Sequence, residues 1–155
     1  MSLELHLSRT PGMSQRGLPQ RASFLQWVEA TLHMAKRRGN SELSIRLADA
    51  DEGHSLNRQY RQRDYPTNVL SFPVELPAGV KLPLLGDLVI CAPVVAREAH
   101  EQGKSLRDHH AHMTVHGTLH LLGYDHENDD DATRMESLER KILAALGIAD
   151  PYVQR

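Results

Sequence analysis

His116-Gly117-Thr118-Leu119-His120-Leu121-Leu122-Gly123-Tyr124-Asp125-His126 is the stretch around which the rest of the chain is organised. Side chains four apart on a helix have Cβ atoms about 5–6 Å from one another, so the imidazoles of His116 and His120 can converge on one cation. Gly123 can take the left-handed conformation that closes a helix, which lets the chain turn through Tyr124 and Asp125 and return His126 as a third donor. Three neutral imidazoles leave one tetrahedral position open, the pattern of a catalytic rather than a structural zinc centre. His116, His120 and His126 are therefore the expected ligands of one divalent metal ion. Zinc is the first expectation, although the same donors accept nickel, copper or cobalt.

Upstream, Ser105-Leu106-Arg107-Asp108 has the form of a capping box, with Asp108 in place of the usual Glu or Gln. It opens a helix over residues 105–122 that Gly123 should close, and this helix carries the metal ligands. His109 and His112 continue the same face, since positions 109, 112, 116 and 120 lie along one stripe. Hydrogen bonding that supports the ligands, or buried packing, suits them better than serving as a fourth ligand. Asp125 either orients a ligand imidazole or bonds its own backbone at the turn. His6, His33, His54 and His100 are scattered and carry no pattern.

Further out, Leu3, Leu5 and Leu7 alternate with Glu4 and His6 as a half-buried strand, and residues 10–19 read as a loop. Phe24, Leu25, Val28, Leu32 and Ala35 share one helical face, with Lys36-Arg37-Arg38 at the end that favours cations. Leu43, Ile45 and Leu47 mark a second strand, and a polar helix is expected from Asp51 to about Arg61. Strands follow at 68–74 and 87–91. Cys91 closes the last of these as a small buried residue. Met135, Leu138, Ile142 and Leu146 mark a final helix, stopped by Gly147. The acidic residues Glu127 to Asp131 suit its N-terminus, where they complement the dipole and would repel RNA. Strands mostly precede helices, so the expected class is α+β, with a mixed sheet of about four strands packed with helices.

The chain has 155 residues, 40% of them hydrophobic, which suits one compact domain over 1–155. A single cysteine excludes an intramolecular disulfide and fits a reducing compartment. No apolar run is long enough to span a bilayer and no signal pattern opens the chain, so a soluble cytoplasmic protein with no membrane partner is expected. The formal net charge of −2 gives no global footprint for nucleic acid, so any polyanion would need a local basic patch.

The histidine spacing is that of the metzincin motif H-E-x-x-H-x-x-G-x-x-H, except that Gly117 stands where a peptidase keeps its general base. A glycine inside a helix costs about 1 kcal/mol relative to alanine, so close approach of backbone or substrate is the expected reason for it.

Three further blocks, residues 56–64 with Tyr60 and Arg61, Pro66 through Pro73, and Leu85 through Cys91, together with His112 through His126, resemble the YbeY endoribonuclease family. The resemblance implies a zincin-like fold. It implies a single-strand-specific metallo-endoribonuclease acting on ribosomal RNA, at the small-subunit rRNA 3′ end, and in ribosome quality control. It implies ligand roles for His116, His120 and His126, and a catalytic role for the arginine that falls on Arg61. The chemistry is consistent, because a Lewis acid and a planar guanidinium both stabilise charge accumulating on a phosphorus centre. Arg58 and Arg63 would extend the local basic patch. A zinc metallopeptidase-like hydrolase and a noncatalytic, metal-stabilised ribosome-assembly factor are the alternatives.

Overall fold

A computed structural model describes residues 2–61, 67–80, 82–125 and 128–152. Four strands and five helices follow in the order β1 (Leu3–Arg9), α1 (Arg21–Met34), β2 (Ser41–Ala48), α2 (Ala50–Arg61), β3 (Val69–Pro73), β4 (Leu84–Cys91), α3 (Ala92–Gln102), α4 (Leu106–Leu121) and α5 (Asp129–Ala145). The sheet runs β1-β2-β4-β3; β1, β2 and β4 are parallel, and β3 lies antiparallel to β4 at one edge. This is the expected α+β arrangement with a mixed four-stranded sheet.

Alternation along the strands divides the sheet into two unequal faces. On the larger, Leu43, Ile45, Leu47, Leu88 and Ile90 pack with Phe24, Trp27, Val28 and Leu32 of α1, Val115 and Leu119 of α4, and Met135, Ile142 and Leu143 of α5. On the other, Ala48, Leu70 and Val89 form a small cluster with Leu56 of α2 and Phe72 of β3. Trp27 and Thr31 join the buried face of α1, where Thr31 satisfies its hydroxyl on the Trp27 carbonyl at 2.8 Å.

One strand start and one whole helix stand apart from the reading of the sequence. β4 begins at Leu84 rather than Asp87, passing through Gly86 at φ 140°. A Cβ on Gly86 would stand 2.2 Å from the Phe72 carbonyl oxygen, so only glycine lets β3 and β4 pair there. The sequence assigns no element between Cys91 and Ser105, yet α3 fills that interval. Pro93 occupies its first turn, where no N–H is needed, and Gly103 ends it at φ 66°. Cys91 is buried as expected, at the β4–α3 junction, with Gly53 of α2 packed closely on its sulfur.

α4 is the central helix. Ser105 Oγ accepts from the Asp108 N–H at 3.0 Å, the expected cap. At the other end Gly123, at φ 100°, donates to the His120 carbonyl and Tyr124 donates to that of Leu119. That pair of bonds satisfies carbonyls the helix leaves open and turns the chain sharply. Asn128 caps α5 through the Asp131 N–H at 2.8 Å, and Asp129, Asp130 and Asp131 occupy its first turn.

Candidate metal centre

Between His109 and Leu121 every residue of α4 is buried except His112, His116 and His120. A helix with core on nearly all sides thus opens only along one i, i+4, i+8 line, and that line is histidine throughout. Burying a polar ring in such a helix is costly unless it is paired, so the partners of these rings are informative.

His116 Nε2 and His120 Nε2 face one another at 3.1 Å. Two nitrogens held at about 2.0–2.1 Å by one tetrahedral zinc are roughly 3.3–3.4 Å apart, so the rings stand within a few tenths of an ångström of a shared-ion geometry. On its other side, His116 Nδ1 lies 2.8 Å from Glu139 Oε1. Glu139, on α5, is 0% exposed. Its second oxygen is 2.9 Å from His112 Nε2 and accepts from the Tyr152 hydroxyl at 2.8 Å. Burial alone would raise this carboxyl, but the hydrogen bonds from His112 and His116 hold it down, to about 2. Ionised, it can only accept, so His116 carries its hydrogen on Nδ1 and presents the Nε2 lone pair toward His120. The Tyr152 hydroxyl is raised well above its usual value, first by burial and then by the Glu139 charge, so it stays a donor.

His112, His116 and Glu139 bring their potential ligand atoms within 4.8 Å of one another, a buried group that could hold a metal ion. Its short contacts are nitrogen-to-oxygen and hydroxyl-to-oxygen hydrogen bonds of 2.8–2.9 Å, so an ion seated among them would have to displace those hydrogens. On the His116–His120 side an ion would take the place of the one hydrogen that His120 Nε2 shares with the His116 Nε2 lone pair at 3.1 Å. The donor set fits a borderline metal there: one imidazole already fixed in the ligating tautomer, a second facing it, and a carboxylate behind the first. A second His/Glu group, Glu4, His6 and Glu42, sits on β1 and its neighbour β2, with His6 bonded to Glu42 at 3.0 Å. Glu4 and His6 are exposed and Glu42 half-buried, and their pairing needs no ion.

The sequence-derived ligands are thus placed unequally. His116 and His120 are brought together. His126 lies outside the described residues, as does the side chain of Arg61, whose backbone ends α2. His109 is buried and bonded to Glu98 of α3 at 3.0 Å; burial lowers its pKa and Glu98 partly restores it. Asn68 also donates to Glu98, at 3.1 Å, which ties α3 to the start of β3.

Gly117 has its reason in packing. A Cβ there would meet Leu88 Cδ2 at 2.8 Å and Val69 Cγ2 at 3.3 Å, so α4 lies against β4 and β3 as closely as a bare backbone allows. The position that carries a general base in metzincins faces the sheet here, where any side chain would have to push Leu88 aside.

A histidine-bearing helix laid on a mixed four-stranded sheet, with a buried carboxylate behind the histidines, defines an α+β protein with a candidate metal centre. The profile described as Endoribonuclease YbeY matches residues 14–147, and the chain belongs to that family. It is 60% identical over 154 residues to Endoribonuclease YbeY of Stenotrophomonas maltophilia, covering 97% of this chain and 94% of that one. It is 62% identical over 144 residues to the Xanthomonas campestris pv. campestris protein of the same name, covering 90% and 88%. A solution structure from Thermotoga maritima shares the fold with a TM-score of 0.56 at 22% identity, covering 96% of this chain and 99% of that one. Among the described residues no helix is long and apolar enough to cross a membrane.

Proposed function

We propose that this chain is a single-strand-specific metallo-endoribonuclease that acts on ribosomal RNA in its maturation and in ribosome quality control. The whole chain, 1–155, forms the one catalytic domain, and it works in the cytoplasm. His116, His120 and His126 hold one divalent ion, zinc by donor chemistry, and Arg61 grips the phosphate. The observation that carries the reading is the pair of facing Nε2 atoms 3.1 Å apart, one of them fixed as a lone pair by buried Glu139. The activity for which relatives about 60% identical along nearly the whole chain are named supplies the substrate class.

When bound, the ion supplies Lewis-acid stabilisation of the charge that collects on a phosphoryl oxygen. The protein's own part is positional. α4 and Glu139 fix the donor rings, and the turn at Gly123 lets the chain return toward them. Arg61, at the end of α2, provides a planar donor pair suited to two phosphate oxygens. The acidic first turn of α5 disfavours approach of RNA from its side, so the substrate enters past α2.

The peptidase alternative loses support because position 117 is glycine, packed on Leu88, and supplies no carboxylate. Elemental analysis of untagged protein, with cleavage of a single-stranded RNA before and after chelation, tests the proposal. About one equivalent of metal and chelator-sensitive cleavage are expected. His116→Ala that folds normally and still cleaves would overturn it, and a His116→Ala that merely unfolds would favour the scaffold alternative.

A further inference from the structure

Tyr60 is 58% exposed near the end of α2, and among the described residues its hydroxyl makes no hydrogen bond. Its ring stands 5.2 Å from that of Phe72 at an interplanar angle of 71°. In an edge-to-face pair the tyrosine keeps at least one face uncovered by its partner, and Phe72, packed on Leu70 and Val89, holds it in place. A large aromatic ring that is braced from below and open above is a stacking platform.

Its position gives the platform a ligand. Phe72 lies on β3, the edge strand, whose Ser71 hydroxyl reaches the Gly117 carbonyl at 3.5 Å, next to His116. Ser71 and Val69 face α4, while Leu70 and Phe72 face α2. The β3 edge is therefore the rim between the histidine face and the aromatic pair. α2 is acidic in its first turn, at Asp51 and Glu52, and carries Arg58, exposed, and Arg61 in its second half, so cations gather at the Tyr60 end. An open aromatic face beside a basic helix end suits a polyanion that carries flat rings.

We propose that Tyr60, braced by Phe72, stacks a nucleobase of single-stranded RNA whose scissile phosphate lies across the β3 rim at the histidines. This rests on the nuclease reading and adds to it a source of single-strand preference, because a base inside a duplex is already stacked on both faces. Tyr60 is a specificity-determining residue and takes no part in the bond-breaking step.

The test uses metal-loaded protein and short single-stranded RNAs carrying 2-aminopurine at one position at a time. Wild type quenches the fluorescence at one position, and Tyr60→Phe keeps both the quench and kcat/KM. Tyr60→Leu loses the quench and raises KM by roughly 5- to 150-fold, the factor that about 1–3 kcal/mol of base stacking is worth. Removing the base at the quenched position costs wild type a similar factor and costs Tyr60→Leu almost nothing. A Tyr60→Leu enzyme that folds, cleaves and binds with wild-type KM overturns the platform alone. A wild type that neither binds nor cleaves RNA overturns the nuclease reading as well.

Discussion

Glu139→Gln removes one charge from a site where the protein depends on it, at almost no change in volume. The carboxylate accepts from three donors: His116 Nδ1 at 2.8 Å, His112 Nε2 at 2.9 Å and the Tyr152 hydroxyl at 2.8 Å. An amide has one oxygen. If its nitrogen faces His116, the imidazole must accept there, and its hydrogen moves to Nε2, the atom turned toward His120. If the nitrogen faces His112 and Tyr152, His116 keeps its tautomer but loses the negative charge that makes it a stronger donor to a metal. Either orientation weakens metal binding by about 10- to 100-fold, roughly 1.4–2.7 kcal/mol. The metal-free protein loses about 1–3 kcal/mol from strained or lost hydrogen bonds to a buried group. Competition against a chromophoric chelator gives the affinity, and urea melts with and without metal give the stability. Wild-type affinity in Glu139→Gln would refute the assignment of Glu139 as the carboxylate behind His116. Abolition of binding as complete as in His116→Ala would instead make Glu139 a ligand itself.

Three further outcomes follow from other parts of the molecule. Tyr152→Phe deletes one hydrogen bond to Glu139, and should cost about 0.5–1.5 kcal/mol of stability in urea melts and weaken metal binding by a few fold. His110 is fully buried, and among the described residues neither ring nitrogen has a partner. Burial, with a smaller contribution from His109, lowers its pKa from 6.5 to about 4. The unfolded chain therefore takes up this proton first as pH falls, so stability is lost between pH 6.5 and 4. The loss is roughly 3 kcal/mol, and His110→Leu should remove that part of the pH slope in denaturant melts. Gly117→Ala sets a helix-propensity gain of about 1 kcal/mol against overpacking on Leu88 of about 1–3 kcal/mol. A lowered melting temperature is expected, and a clear rise would mean that α4 does not sit this close to the sheet.

The contrast between the two ends of the site shows what a sequence exposes. α4 was legible because its signals are local: a serine cap three residues before Asp108, histidines at helical spacing, and a glycine that must go left-handed. Glu139 was not, because its contact with His116 spans 23 residues and joins two helices. One signal was available. Glu139 falls on the stripe of Met135 and Ile142, so it is a carboxylate on a buried face, a placement that demands a partner. Tyr152 carried no comparable mark. α3 escaped because an eleven-residue amphipathic stretch that opens with proline after a strand resembles a connection until its buried Val94, Val95 and Ala99 are seen against the core. The reason for Gly117 could be named from sequence only as a close approach, since its neighbours Leu88 and Val69 come from strands that pair far from it in the chain.

X-ray absorption at the zinc edge of the loaded protein addresses the centre itself. Three imidazole nitrogens at about 2.0–2.1 Å with one further light atom are expected, and one imidazole fewer in His120→Ala. An unchanged imidazole count in His120→Ala, with a carboxylate oxygen in the shell that disappears in Glu139→Gln, would place the ion among His112, His116 and Glu139 and contradict that expectation.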